Sequence, residues 1–295
     1  MQDKLVRATA ADGNIRIVAA NTTKLVEKAR LIHGTYPTAT AALGRILTGA
    51  LLIGAGLKNQ ETVTIKIEGD GPLGVLLAVA GNKGKVKGYV SNPHVYIEPE
   101  QSGKMDVGKA VGQGMLYVIK DLKLKGVYTG SSPLISGEIG DDISHYFHSS
   151  EQIPTAVGMG VLVDKDTTVK GAGGYLIQLL PDAPEEIVAH LEKKVMELGA
   201  VSSFVEKGKE SMDIVEYLCN PWNVVVHEEK EVDFECGCSI DKIEKIVISL
   251  GEAEIKDIIN TEKKAELVCH FCNETYELDE KALLDILAKA KGDES

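Results

Sequence analysis

Four cysteines gathered near the C-terminal end are the residues best placed to do chemistry. Val232-Asp-Phe-Glu-Cys-Gly-Cys-Ser-Ile-Asp-Lys242 sets Cys236 and Cys238 one residue apart. After a gap of 30 residues, Val268-Cys-His-Phe-Cys272 adds Cys269 and Cys272 with two residues between them. Two short chelating loops of this kind can supply the four thiolates of a tetrahedral metal site, with sulfur–metal distances of about 2.3 Å. Thiolates select soft or borderline ions, so zinc is the expected metal and an iron–sulfur cluster the weaker alternative. His270, inside the second loop, is read as an exposed knuckle residue rather than a spare ligand. The C-x-C half is the unusual one, because common zinc ribbons use C-x-x-C on both sides. Two adjacent thiolates repel each other unless a cation screens them. If an oxidant attacks one, its neighbour stands ready to close a disulfide, and the metal can then leave. Spacing alone leaves two readings open, a permanent staple and a redox-sensitive one. Cys219, followed by Asn-Pro-Trp, is read as a buried structural thiol.

Other groups carry less. Gly69-Asp-Gly-Pro-Leu-Gly74 matches G-x-G-x-x-G. A dinucleotide fingerprint needs a helix next, whereas Pro72 and the apolar run at 75–80 predict a hairpin. Lys83, Lys85 and Lys87 alternate along one strand, the pattern of a solvated face. His145 and His148 neighbour Ser144 and Ser149, but adjacency in sequence is not a triad, and no catalytic residue is assigned.

The elements that must position these cysteines follow from periodicity and punctuation. Strands are predicted at 5–10, 15–20, 63–68, 75–80, 86–90, 115–120, 127–129, 160–163 and 175–180. Helices are predicted from Thr22 or Thr23 to about 33, over about 38–57, and over 141–152. Residues 182–220 look helical, with Ile187, Val188, Leu191, Val195 and Leu198 at helical spacing and Gly199 as a cap. In the last segment, helices are expected at 241–250, 252–259 and 280–290, capped by Ser239 and Asp279. Short strands at 265–268 and 274–278 would flank the second cysteine pair as a hairpin knuckle. The fold class is α+β, with a mixed sheet-and-helix core at 1–180, a helical linker at 181–231 and a small four-cysteine domain at 232–295.

Charge narrows the partners. The net charge is −12, and residues 231–295 alone carry 8 basic and 17 acidic side chains. So acidic a tail opposes binding to a phosphate backbone. The window 39–57 has the length of a membrane span, yet Arg45 and four glycines interrupt it, and a buried helix is expected instead. The N-terminus lacks an apolar signal core, so the expected location is the cytoplasm, where thiols stay reduced. Neither nucleic acid nor membrane is expected as a partner.

The C-x-C-S start, the 30-residue gap and the C-x-x-C resemble the redox-regulated 33 kDa chaperonin family of bacterial heat-shock holdases. The resemblance runs over nearly the whole chain. It includes Ala42-Leu-Gly-Arg-Ile-Leu-Thr-Gly-Ala-Leu-Leu52, Gly69-Asp-Gly-Pro-Leu-Gly74 with Gly88-Tyr-Val90, and Ser136-Gly-Glu-Ile-Gly-Asp-Asp142. Tyr146-Phe147, Ser150-Glu-Gln-Ile-Pro154 and Ala172-Gly-Gly-Tyr-Leu-Ile-Gln-Leu-Leu-Pro181 extend it. The resemblance implies a chaperone core, a linker and a zinc switch. Cys236, Cys238, Cys269 and Cys272 would hold one zinc in a reduced, inactive form. Oxidation would form disulfides between Cys236 and Cys238 and between Cys269 and Cys272, release zinc, and unfold first the switch and then the linker. Unfolding client proteins would then be held without ATP, commonly by a homodimer. Two rivals stand beside it: a constitutive zinc-ribbon binding module, and a thiol oxidoreductase using Cys269 and Cys272.

Overall fold

Strands β1 (Lys4–Ala10) and β2 (Ile15–Asn21) pair antiparallel around the Asp-Gly-Asn turn. Helices α1 (Thr23–His33) and α2 (Pro37–Gly54) follow. Next come β3 (Thr62–Gly69), β4 (Val75–Gly81), β5 (Lys85–Val90), α3 (Val107–Val111), β6 (Gly114–Leu124), β7 (Gly126–Pro133) and α4 (Gly140–Tyr146). The chain continues through β8 (Thr155–Val163), β9 (Val169–Leu179), α5 (Glu185–Leu198), α6 (Val201–Glu206), α7 (Ser211–Cys219), β10 (Val224–Glu231) and β11 (Asp233–Phe234). The structure, a computed structural model, describes residues 2–58, 60–99, 103–124 and 126–292, with 290–292 as backbone only. The chain divides into two compact units, Met1–Glu235 and Cys236–Ser295.

In the first unit a five-stranded sheet has the order β10-β1-β2-β9-β8, and a six-stranded sheet the order β11-β5-β4-β3-β6-β7. Helix α2 lies between them, packed on β3, β4 and β5 of one sheet and β2, β8 and β9 of the other. Every residue from Thr38 to Gly54 is buried. That enclosure explains a helix apolar on all sides, and α2 is the one helix among the described residues long and apolar enough to cross a membrane. Gly44 permits the close approach: a Cβ there would lie 2.6 Å from a Val26 methyl and 2.8 Å from a Val161 methyl. Arg45, 5% exposed, is balanced by Glu138, 2.7 Å away.

Helices α5, α6 and α7 cover the other face of the five-stranded sheet. Ile187, Leu191, Val205, Ile214 and Leu218 bury against Val6, Ala8, Ile17, Tyr175 and Ile177. Cys219 is buried in this layer as expected, and burial pushes its thiol up to about 12.

Three local expectations change. The segment expected to be a helical linker at 181–231 is helical only as far as Cys219; residues 224–231 form β10, paired antiparallel with β1. Its Val224-Val-Val run suits a strand, and its charges face those of β1, with Lys4 2.7 Å from Glu229 and Arg7 3.5 Å from Glu228. The helix expected at 141–152 is α4 followed by a π-turn at Phe147–Glu151. Thr22 stands at the α1 N-cap, but its hydroxyl shares a 2.9 Å hydrogen bond with Thr48 instead of capping.

The second unit holds α8 (Ile240–Ile248), α9 (Glu252–Thr261), the hairpin β12 (Lys264–Val268) and β13 (Thr275–Asp279), and α10 (Glu280–Gly292). Ile243, Val247, Ile255, Ile259, Leu278, Leu283, Ile286 and Leu287 are its buried core. So small a core gains from a cross-link. The Asp279 carboxylate caps α10 by accepting the Ala282 N–H at 2.8 Å; Ser239 sits at the α8 N-cap without a side-chain capping bond.

Candidate metal centre

Cys236 and Cys238 lie in the extended segment before α8. Gly237 between them has φ +63°, a left-handed turn that glycine adopts without steric cost. Cys269 and Cys272 lie in the knuckle between β12 and β13. There the Cys269 N–H donates to the Glu274 carbonyl at 2.9 Å, and the Cys272 and Asn273 N–H groups donate back to the Cys269 carbonyl at 3.2 and 2.7 Å. Asn273 takes the left-handed position, φ +57°, that closes the knuckle.

These two loops bring all four sulfurs within 4.8 Å of one another. Cys236 Sγ is 3.4 Å from Cys269 Sγ, and Cys238 Sγ is 3.3 Å from Cys272 Sγ. Four sulfurs about 2.3 Å from a central ion would be about 3.8 Å apart, so the cluster has the size of a tetrahedral thiolate site. All four are half-buried free thiols. Burial, with the neighbouring Cys269 sulfur, pushes the Cys236 thiol up to about 11. Burial also holds the Cys272 thiol well above its ordinary range. Such a pocket resists collecting negative charge by itself, and a divalent cation supplies the compensation that lets the thiols deprotonate. The all-sulfur donor set and the spacing both fit zinc.

One side chain at the cluster was not singled out from the sequence. The Tyr276 hydroxyl donates to Cys238 Sγ at 3.0 Å, and this bond holds the Cys238 thiol below its ordinary value. Tyr276 follows Cys272 by four residues on the strand leaving the knuckle, but nothing in that spacing says which sulfur its hydroxyl would meet. His270 is exposed and lies outside the sulfur cluster.

The weaker motifs resolve as structure. The Gly69–Gly74 stretch is the turn from β3 to β4, so a strand follows it rather than a helix. A Cβ on Gly69 would fall 1.9 Å from the Val111 carbonyl oxygen, which accounts for the glycine without a nucleotide. Lys85 pairs with Glu235 at 3.1 Å. The Ser144 and Ser149 hydroxyls donate to backbone carbonyls of Gly140 and His145 at 3.0 and 2.8 Å, so neither is presented to a histidine ring as a nucleophile.

Comparison with known proteins places the whole chain. The family model described as Hsp33 protein matches residues 3–279. A 33 kDa chaperonin of Geobacillus kaustophilus is 49% identical, over 99% of each chain. One from Desulforamulus reducens is 45% identical over 98% of each. The crystal structure of a 33 kDa chaperonin (heat shock protein 33 homologue) from Thermotoga maritima superposes with a TM-score of 0.90, at 36% identity, covering 99% of this chain and 100% of that one.

Proposed function

The chain belongs to the Hsp33 family of chaperonins, and on that premise we propose that it is a redox-regulated holdase that binds unfolding proteins without ATP. The observation that carries the regulatory part is the cluster of four sulfurs within 4.8 Å. Cys236, Cys238, Cys269 and Cys272 would hold one zinc per chain in the reduced, inactive state. The ion would cross-link two loops and stabilise a unit whose own apolar core is small. Gly237 and the knuckle turn aim the sulfurs, and Tyr276 steadies Cys238.

Under peroxide, disulfides between Cys236 and Cys238 and between Cys269 and Cys272 would remove the ligands in pairs. Residues 232–295 act as the switch, 181–231 as the linker and 1–180 as the chaperone core. The linker layer supports this division, because α5, α6 and α7 cover a continuous apolar face of the five-stranded sheet. Release of those helices would expose Ile17, Tyr175 and Ile177 together with the helices' own apolar stripes, a surface suited to unfolded clients. The active form is proposed to be a homodimer in the cytoplasm, with neither nucleic acid nor membrane as partner.

The test follows zinc and chaperoning in one sample. Protein is treated with peroxide at elevated temperature, a chromogenic chelator reports zinc, and light scattering reports aggregation of an unfolding client. About one zinc per chain should leave as aggregation is suppressed. Zinc that stays bound, or leaves with no gain in suppression, would make the centre a permanent staple.

A further inference from the structure

We propose that Tyr276 tunes the metal centre, its hydroxyl holding the Cys238 sulfur in place and lowering that sulfur's reactivity toward peroxide. This rests on the cluster being a zinc centre. The O–H···S contact of 3.0 Å is the observation. Its setting gives it leverage. Tyr276 lies on β13, paired with Leu267 of β12, and its ring packs against the apolar core of the second unit. The donor is therefore delivered by a strand and a packed ring, at small entropic cost. The same hairpin carries Cys269 and Cys272, so the bond reaches from one chelating loop to a sulfur of the other.

A thiolate bound to a cation keeps lone pairs that are not shared with the metal. A hydrogen bond to one of them draws electron density from sulfur and fixes its direction. Groups that hydrogen-bond metal ligands in this way typically contribute about 10- to 100-fold to metal affinity. The same withdrawal makes the sulfur a poorer nucleophile. Oxidation begins when a thiolate sulfur attacks one peroxide oxygen. The O–O bond breaks, the sulfur becomes a sulfenic acid, and the other oxygen leaves with the electron pair as hydroxide or alkoxide. The neighbouring thiolate then attacks the sulfenic sulfur, the S–S bond forms and hydroxide departs. Two electrons have passed from the sulfur pair to the peroxide. Tyr276 acts on the first of these steps at Cys238 and makes the four sulfurs inequivalent.

The test compares the full-length chain with Tyr276→Phe, which keeps the ring and loses the donor. Chelator competition gives zinc affinity, the same chelator gives the rate of peroxide-driven zinc release, and cobalt substitution gives the sulfur-to-metal charge-transfer band. Zinc affinity should fall about 10-fold. Release under peroxide should quicken, since a sulfur whose lone pair no longer meets the hydroxyl is the better nucleophile. The cobalt band should move to lower energy as the sulfur lone pairs rise. Both variants are repeated in a Cys238→Ser background, where the effect of Tyr276→Phe on affinity should largely vanish. An equal loss of affinity in both backgrounds would make the hydroxyl a packing element and overturn the proposal. So would a Tyr276→Phe protein with unchanged affinity, release rate and band. A wild-type chain that takes up neither zinc nor cobalt would overturn both this proposal and the metal-centre reading beneath it.

Discussion

Phe234→Ala should release the last strand before Cys236 from the first unit. The ring is 2% exposed, joins the main core with Val86 and Val232, and meets His33 edge-on at 6.1 Å between centroids. Strand β11 has little else to hold it, since only Asp233 and Phe234 pair with β5. The Asp233 N–H donates to the Gly84 carbonyl at 3.0 Å and the Glu235 N–H to the Val86 carbonyl at 2.9 Å, each worth about 1 kcal/mol net. The Lys28–Asp233 and Lys85–Glu235 pairs are exposed and contribute about 0–1 kcal/mol each. Ordering the backbone costs about 1–2 kcal/mol per residue, so bonds and ion pairs alone do not dock the segment. Truncating a buried phenylalanine costs about 3–5 kcal/mol, enough to reverse the balance. Hydrogen exchange on the zinc-loaded protein reads this directly, because the amides of Asp233 and Glu235 are protected only while β11 is docked. Their exchange should accelerate by about 100-fold or more, at about 1.4 kcal/mol per factor of ten, while amides of β3 stay protected. An acceleration below about tenfold at Asp233 and Glu235 would refute the reasoning and move the docking energy to the backbone bonds.

Three further outcomes are expected. Burial raises the Asp3 carboxyl to about 6 against the stabilising N–H of Leu25, so the folded chain holds that proton more tightly than the unfolded one; the contribution of Asp3 therefore grows as pH falls through 6 and is complete below 3.8. The stability difference between Asp3→Asn and wild type, measured by urea unfolding at pH 7 and pH 4, should then change by roughly 2 kcal/mol, and a constant difference would contradict it. Glu138→Gln should cost about 3 kcal/mol by leaving the buried Arg45 charge uncompensated, read as a lowered thermal midpoint, with an unchanged midpoint counting against the pair. Oxidation with zinc release should red-shift the emission of Trp222, the single tryptophan, whose ring stacks edge-on to His190 of α5 at 4.8 Å. A constant spectrum would mean that α5 keeps its place beside Trp222.

The features legible along the chain are local ones. Two short chelating loops could be read from residue type and spacing, because a loop of one or two residues places its sulfurs within reach of one ion whatever the rest of the chain does. Turns such as Gly69–Gly74 and helices such as α5 could be read in the same way, from the conformational preferences of a few adjacent residues. Arg45 and its glycines marked α2 as something other than a membrane span. Whatever closes a long loop was settled by packing in three dimensions. It set α2 between two sheets and turned the highly charged 224–231 segment into a strand, because β1, more than 200 residues earlier, offers the matching edge and countercharges. It also carried the Tyr276 hydroxyl to Cys238, across 38 residues of chain. No pattern along the chain encodes that meeting, since it depends on where the hairpin packs against the apolar core of its own unit.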